Sequence, residues 1–270
     1  FREERIPGGP PVRSAEMKGL GERLSNRWLA HRWQRFLDHL QIAHQAPYPL
    51  HIYRRLLSQA LSHPQVRLLP FTQSASAPDG PANLYVRHDV DTADCMRNLA
   101  LLLDVDRELG VPAGVFLRAD GREYALEKHR ERIGSYRAAG LEIGLHTVCY
   151  LEEDYLGALQ RETERFSRAL GFRPSSFTVH GLGPHRMDAR LRFCQEISAR
   201  LREFGYSFSD CSPHLRAYDY TIHDSHWSQE ARSRFIYSDF LHLSPLRGGR
   251  NYILLTHPGY WVESRGPSDD

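Results

Sequence analysis

The sequence lacks any apolar run of the ~18 residues that a membrane-spanning helix requires, and its mean hydropathy is −0.53. Cysteine is scarce: Cys95, Cys149, Cys194 and Cys211 are the whole set, with no C-x-x-C spacing. That excludes a disulfide-built scaffold and a thiolate zinc ribbon. Lysine is nearly absent, with Lys18 and Lys128 the only two, so arginine carries the basic charge. With 35 basic against 33 acidic residues the formal charge is only +2. No cationic excess points to nucleic acid, and the arginine skew suggests a GC-rich bacterial genome instead. Also missing are a G-x-S-x-G elbow, a P-loop, H-E-x-x-H and a complete G-x-G-x-x-G.

What is present is an ordinary globular composition, 41% hydrophobic and 25% charged, which excludes wholesale disorder. Two of the cysteines fall on apolar faces of predicted helices and read as reduced, buried thiols. The opening Phe-Arg-Glu-Glu has no apolar leader segment. The expectation is a soluble, cytoplasmic protein.

Composition and pattern divide the chain into a charged, Gly/Pro-rich arm (1–22), a helical extension and linker (23–82), a regular α/β domain (83–264) and a short tail (265–270). Within 23–45, Leu24, Trp28, Phe36, Leu37 and Leu40 recur at mostly helical spacing, with Arg27, Arg32 and Arg35 between them. Such a helix packs its stripe on the main domain or lies on an anionic membrane, and packing is the simpler reading. A second helix is predicted over Ile52 to Leu61.

From residue 84 the pattern becomes regular. Strands are predicted at 84–86, 114–117, 141–145 and 177–179, each followed by an amphipathic helix. Those four helices end at Gly110, Gly140, Gly171 and Gly205, residues suited to a left-handed C-cap. The period of about 30 residues is that of a βα unit, so the expected fold is α/β, a parallel sheet with helices outside it. The last third is looser, with possible strands at 206–208, 218–222 and 235–237, and a clear final one over Asn251 to Thr256.

The polar residues stand where such a fold places its chemistry, at the C-terminal ends of the strands. The first strand runs into Arg87-His88-Asp89-Val90-Asp91, the third into His146, the fourth into His180 and the last into His257. Asp89 and Asp91, two apart on an extended segment, share a face, and oxygen with imidazole is a ligand mixture that zinc accepts. Asp91 could instead cap the helix that begins near Thr92. His31, His39, His44 and His51 lie outside the strand-end set.

Three motifs together carry a resemblance: Arg-His-Asp-Val-Asp at 87–91, Leu-Glu-Ile-Gly-Leu-His-Thr at 141–147, and Leu-Leu-Thr-His-Pro-Gly-Tyr-Trp at 254–261. Over residues 84–262 the chain resembles the polysaccharide deacetylase (NodB-homology) family, most of all its divergent WbmS-like branch linked to lipopolysaccharide O-antigen biosynthesis. The resemblance implies a distorted (β/α) barrel of about seven strands, TIM-barrel-like. It also implies one divalent metal ion, usually zinc, and hydrolysis of an acyl group from a sugar.

By position it makes Asp89 the base, Asp91 and His146 metal ligands, and His257 the general acid. The family's second histidine in H-[ST]-x-x-H is Tyr150 here. His180 is the candidate to replace it, ahead of His88, which should face away from Asp89. Arg87 is a candidate partner for Asp89, and the amides beside Thr147 or His180 are candidate oxyanion donors. Asp224 would contact substrate or cap a loop, while Tyr260 and Trp261 would stack on a sugar ring or belong to the core.

The implied partner is an acylated amino sugar or a nucleotide- or lipid-linked glycan. Two alternatives stand beside this: a catalytically silent member that binds a glycan or a protein, and, more weakly, a metal phosphohydrolase, for which no basic phosphate grip is evident.

Overall fold

A computed structural model describes residues 48–73, 80–181, 187–211, 220–224, 248–249 and 251–263. The arm and helix predicted over 1–45, and the strand predicted at 235–237, lie outside the described residues. The chain enters through a short strand, β1 (Tyr48–Pro49), and helix α1 (Leu50–Ser62), close to the helix predicted there. Ten strands are described, with β2 (Val66–Leu69), β3 (Ala82–Val90), β4 (Gly114–Leu117), β5 (Glu142–Thr147) and β6 (Ser176–Val179) in the first part. They continue with β7 (Phe208–Ser209), β8 (Tyr220–His223), β9 (Asn251–Thr256) and β10 (Trp261–Val262).

The main sheet is parallel throughout and runs β7-β6-β5-β4-β3-β9-β8. Helices α2 (Ala93–Leu109), α3 (Arg130–Ala138), α4 (Tyr155–Leu170) and α5 (Met187–Arg200) connect its strands. The architecture is the expected α/β one, a curled parallel sheet of the distorted-barrel type.

Strand β2 had no clear sequence signal. It pairs with the first half of β3, Val66 to Leu69 opposite Ala82 to Tyr85, while β4 pairs with the second half, Arg87 to Val90. β3 therefore runs to Val90, well past the 84–86 expected, so Asp89 is part of the strand and Asp91 lies just beyond it. All nine β3 residues are buried, so alternation separates chemistry from packing rather than inside from outside.

Tyr85, Arg87 and Asp89 project to the concave side. There Tyr85 joins Leu69, Phe71, Phe116, Phe208, Ile253 and Leu255 in an apolar floor. Phe71 meets Phe116 and Phe208 edge-on, both at 4.9 Å between centroids, a favoured aromatic geometry. Leu84, Val86 and Val90 face the helices, in the two larger clusters that bury α1 to α5 against the sheet.

The helix ends follow from local chemistry. Thr92 caps α2 by accepting from the Cys95 amide at 3.2 Å, and Asp154 caps α4 by accepting from the Gly157 amide at 3.0 Å. Gly110 and Gly171 end the same two helices at φ 67° and 81°, the left-handed region where glycine carries no Cβ penalty.

The cysteine expectation is corrected in part. Cys95 and Cys149 are free and buried, but Cys194 on α5 is joined to Cys211, just beyond β7, with Cα atoms 4.9 Å apart. The reading of two helix-borne cysteines as reduced thiols overlooked, for Cys194, that α5 returns alongside β7. Among the described residues no helix is long and apolar enough to cross a membrane.

Candidate metal and acid–base site

Asp91 lies one residue beyond the end of β3. Because Thr92 supplies the cap of α2, the Asp91 side chain is not consumed by capping. His146 sits near the end of β5, one residue after the position where that strand and β6 set Leu145 opposite Phe177. Alternation sets it on the same face as Gly144, a residue at which a Cβ would stand 2.5 Å from the Phe116 ring and 2.8 Å from Ser176 Oγ. Thr178 Oγ1 holds His146 Nδ1 at 2.8 Å, which turns Nε2 toward the site. His180 follows β6 and presents Nδ1.

These three residues come together. Asp91 Oδ1 is 3.2 Å from His146 Nε2 and 3.1 Å from His180 Nδ1, and the two nitrogens are 3.1 Å apart. A tetrahedral zinc with arms of about 2.0–2.1 Å spaces its ligand atoms about 3.3 Å apart, so the triangle has the size of one face of such a site. Asp91 Oδ1 is buried and makes no hydrogen bond of ordinary geometry despite its two near nitrogens. An oxygen desolvated in this way is costly unless a cation completes it. The donor set of one carboxylate and two imidazoles is one that zinc accepts, so the residues present fit the ion.

Two titratable groups flank the triangle, each fixed by its own counter-charge. Arg87 donates Nε to Asp89 Oδ1 and Nη2 to Asp89 Oδ2, both at 2.6 Å, and Nη1 to Asp210 at 3.1 Å. Burial alone would push the Asp89 carboxyl up. The Arg87 guanidinium and His146 outweigh it and hold Asp89 below the usual carboxylate range. Asp89 Oδ2 lies 3.4 Å from His146 Nε2.

On the other side His257 donates its backbone amide to Asp224 Oδ2 at 2.5 Å, and its Nδ1 meets Asp224 Oδ1 at 2.6 Å. Burial would lower the imidazole, but Asp224, with help from Asp91 and Asp89, raises it well above its ordinary value. Its Nε2 is directed at Asp91 Oδ2, 3.3 Å away.

The remaining sequence candidates divide cleanly. Arg87 is beside Asp89, as the motif suggested, and Asp224 serves His257 rather than capping a loop. His88 faces the helices, where its ring nitrogens meet Thr256 Oγ1 at 2.6 Å and Asp106 Oδ2 at 2.7 Å. Thr147 points away from the site and donates to Glu162 at 2.5 Å.

In that loop the His180 amide donates to the Thr147 carbonyl and the Cys149 amide to Thr147 Oγ1, so these two amides are engaged within the chain. Tyr150 is buried and donates its hydroxyl to the His180 carbonyl at 2.9 Å. Trp261 is 0% exposed and cannot stack on a sugar, whereas Tyr260 is 41% exposed with its ring 5.5 Å from that of His257.

Sequence reasoning missed Asp210, which pairs with Arg87 and accepts from the Val179 amide at 3.1 Å. Its signal was available, since Asp210 directly follows β7 and obeys the same strand-end rule as the others.

No family model matches the sequence, and no curated protein matches it. Among solved structures the chain is similar to the crystal structure of a mutant of a CE4 family pseudoenzyme with restored enzymatic activity. The likeness has a TM-score of 0.39 at 13% identity and covers 66% of this chain and 58% of the length of that one.

Proposed function

We propose that this chain is a divalent-metal hydrolase, with zinc its ion, that removes an acetyl-type acyl group from an amino sugar. The substrate is free or carried on a nucleotide or lipid, in the assembly of a surface polysaccharide such as lipopolysaccharide O-antigen. The setting comes from the motif resemblance. The chemistry is carried by one observation: a three-donor triangle flanked by Asp89, whose proton affinity Arg87 lowers, and by His257, whose proton affinity Asp224 raises. Two groups whose environments push their proton affinities apart are what acid and base roles require.

Asp91, His146 and His180 would hold the ion, which when bound polarises an acyl oxygen and acidifies a water. Asp89 takes a proton from the water that attacks the acyl carbon. Its two bonds from Arg87 stop the carboxylate rotating away. The new C–O bond forms as the C–N bond breaks, and His257 gives its Nε2 proton to the departing nitrogen. Asp224 holds the opposite ring nitrogen throughout, which fixes the tautomer and the ring plane. The products are a carboxylic acid and an amine, the acid's proton passing to the amine to leave carboxylate and ammonium, while the proton on Asp89 is available to restore His257. Tyr260, exposed beside His257, is placed to meet the sugar ring.

The test combines metal analysis with acetate release from N-acetylated amino sugars and their nucleotide-linked forms. One ion per chain is expected, lost in Asp91→Asn and His180→Ala. Asp89→Asn and His257→Ala should keep the ion and lose roughly 100-fold or more in rate. A protein that takes up no ion on reconstitution, or an Asp89→Asn variant as fast as the parent, overturns the reading.

A further inference from the structure

The segment preceding the barrel, β1 with α1, is built into the far side of the candidate site. Strand β1 pairs with β10, Tyr48 opposite Trp261. The Trp261 ring is packed between Tyr48 and Tyr53, each 5.4 Å away between centroids and tilted by 56° and 60°. Asn98 on α2 donates to the Trp261 carbonyl at 3.0 Å. Tyr53 is itself anchored, its hydroxyl donating to Asp106 Oδ1 at 2.6 Å, while His88 meets the other Asp106 oxygen at 2.7 Å. Both Asp106 and His88 are fully buried, so the brace behind Trp261 has no solvent route by which to relax.

From that brace the indole Nε1 donates to Asp224 Oδ2 at 3.0 Å. The same carboxylate receives the amide and the ring of His257. We propose that Trp261 is a positioning residue, braced by Tyr48 and Tyr53, whose indole N–H fixes the Asp224 carboxylate and through it the His257 ring.

The physical argument is one of valence and rotation. A buried indole N–H needs an acceptor, and Asp224 supplies it. Without the indole, His257 is the one remaining hydrogen-bond partner of the carboxylate among the described residues, and the two can turn together. With it, the carboxylate plane is tied to a ring immobilised by two aromatic neighbours. The extension that seemed an appendage in the sequence thus sets the aim of the proton donor, just as partners of a ligand's far nitrogen set its orientation.

The inference rests on the reading of His257 as proton donor, and its test does not need turnover. The readout is the His257 Nδ1 proton in NMR spectra of the full chain labelled at histidine nitrogen, identified by its loss in His257→Gln. Trp261→Phe keeps a ring and removes the N–H donor. Tyr48→Leu keeps the donor and removes half of the brace.

In folded protein, checked by circular dichroism, the proton is expected to shift or broaden in both variants and to stay unmoved in Tyr48→Phe. Where the wild type releases acetate, Trp261→Phe should lower kcat roughly 10-fold, with KM and metal content unchanged. A proton unmoved in either Trp261→Phe or Tyr48→Leu overturns the inference. Shifted protons in a protein that hydrolyses nothing support it while sinking the hydrolase reading.

Discussion

Tyr150 donates its hydroxyl to the carbonyl of His180, at 2.9 Å. The residue that stands where the resembling motif has its second histidine thus bonds to the residue proposed to supply the imidazole instead. The loop closes further through the His180 amide, which donates to the Thr147 carbonyl at 2.9 Å. Under the proposed function, the ligand that the resembling motif supplies from the turn after β5 would come instead from the end of β6, with Tyr150 as its support.

Tyr150→Phe tests that support. It removes one hydrogen bond and leaves a half-buried carbonyl short of a donor, a loss of about 1 kcal/mol. Metal affinity should fall roughly 5- to 10-fold, measured by competition with a chelating dye, while the ion is still bound at saturation. Affinity equal to the parent would mean that His180 is held by its backbone bond alone.

Gly144→Ala is expected to damage the site from below. The added Cβ meets the Phe116 ring and Ser176, on the strand that carries His146 two residues later. Overpacking of this kind costs about 1–3 kcal/mol. Thermal unfolding should show that loss, with weakened metal binding, while Gly134→Ala, where a Cβ meets nothing within 4 Å, should show neither.

The strand-end residues were legible because a parallel strand fixes alternation. Once Asp89 is placed on the concave face, Arg87 and Asp91 follow, and His88 must face the helices. His146 and His257 follow by the same rule at sister strands. What was not legible depends on residues far apart in the chain. The burial of Trp261 needs Tyr48 and Tyr53 to dock against it, and no local pattern announces that contact. Strand β2 was hidden because Val66 to Leu69 is short and only partly buried. Asp210 was overlooked because its strand is two residues long, and the Cys194–Cys211 pairing because sequence gives spacing and not the return of α5 beside β7.

Arg87→Lys separates base orientation from metal binding. A lysine supplies one point of attachment where the guanidinium supplies two parallel bonds to Asp89 and a third to Asp210. Acetate release should drop about 10- to 100-fold at unchanged metal content. Asp210→Asn should cause a smaller drop, since the amide oxygen can still accept from Arg87. A rate equal to the parent in Arg87→Lys would remove the clamp from the mechanism.

Glu162 makes stability depend on pH near neutrality. Burial pushes its carboxyl from 4.5 up to about 7, against a smaller opposing effect of the Thr147 hydroxyl. A group raised on folding binds its proton more tightly in the native state, so its contribution is full below pH 4.5 and is lost as pH rises through about 7. The shift corresponds to about 3 kcal/mol across that window. Glu162→Gln keeps an oxygen for Thr147 and removes the titration. Urea unfolding of both proteins should therefore show the variant gaining on the parent by about 3 kcal/mol between pH 4.5 and roughly pH 8. Parallel stability curves for the two would show that Glu162 ionises in the native state as readily as in the unfolded one.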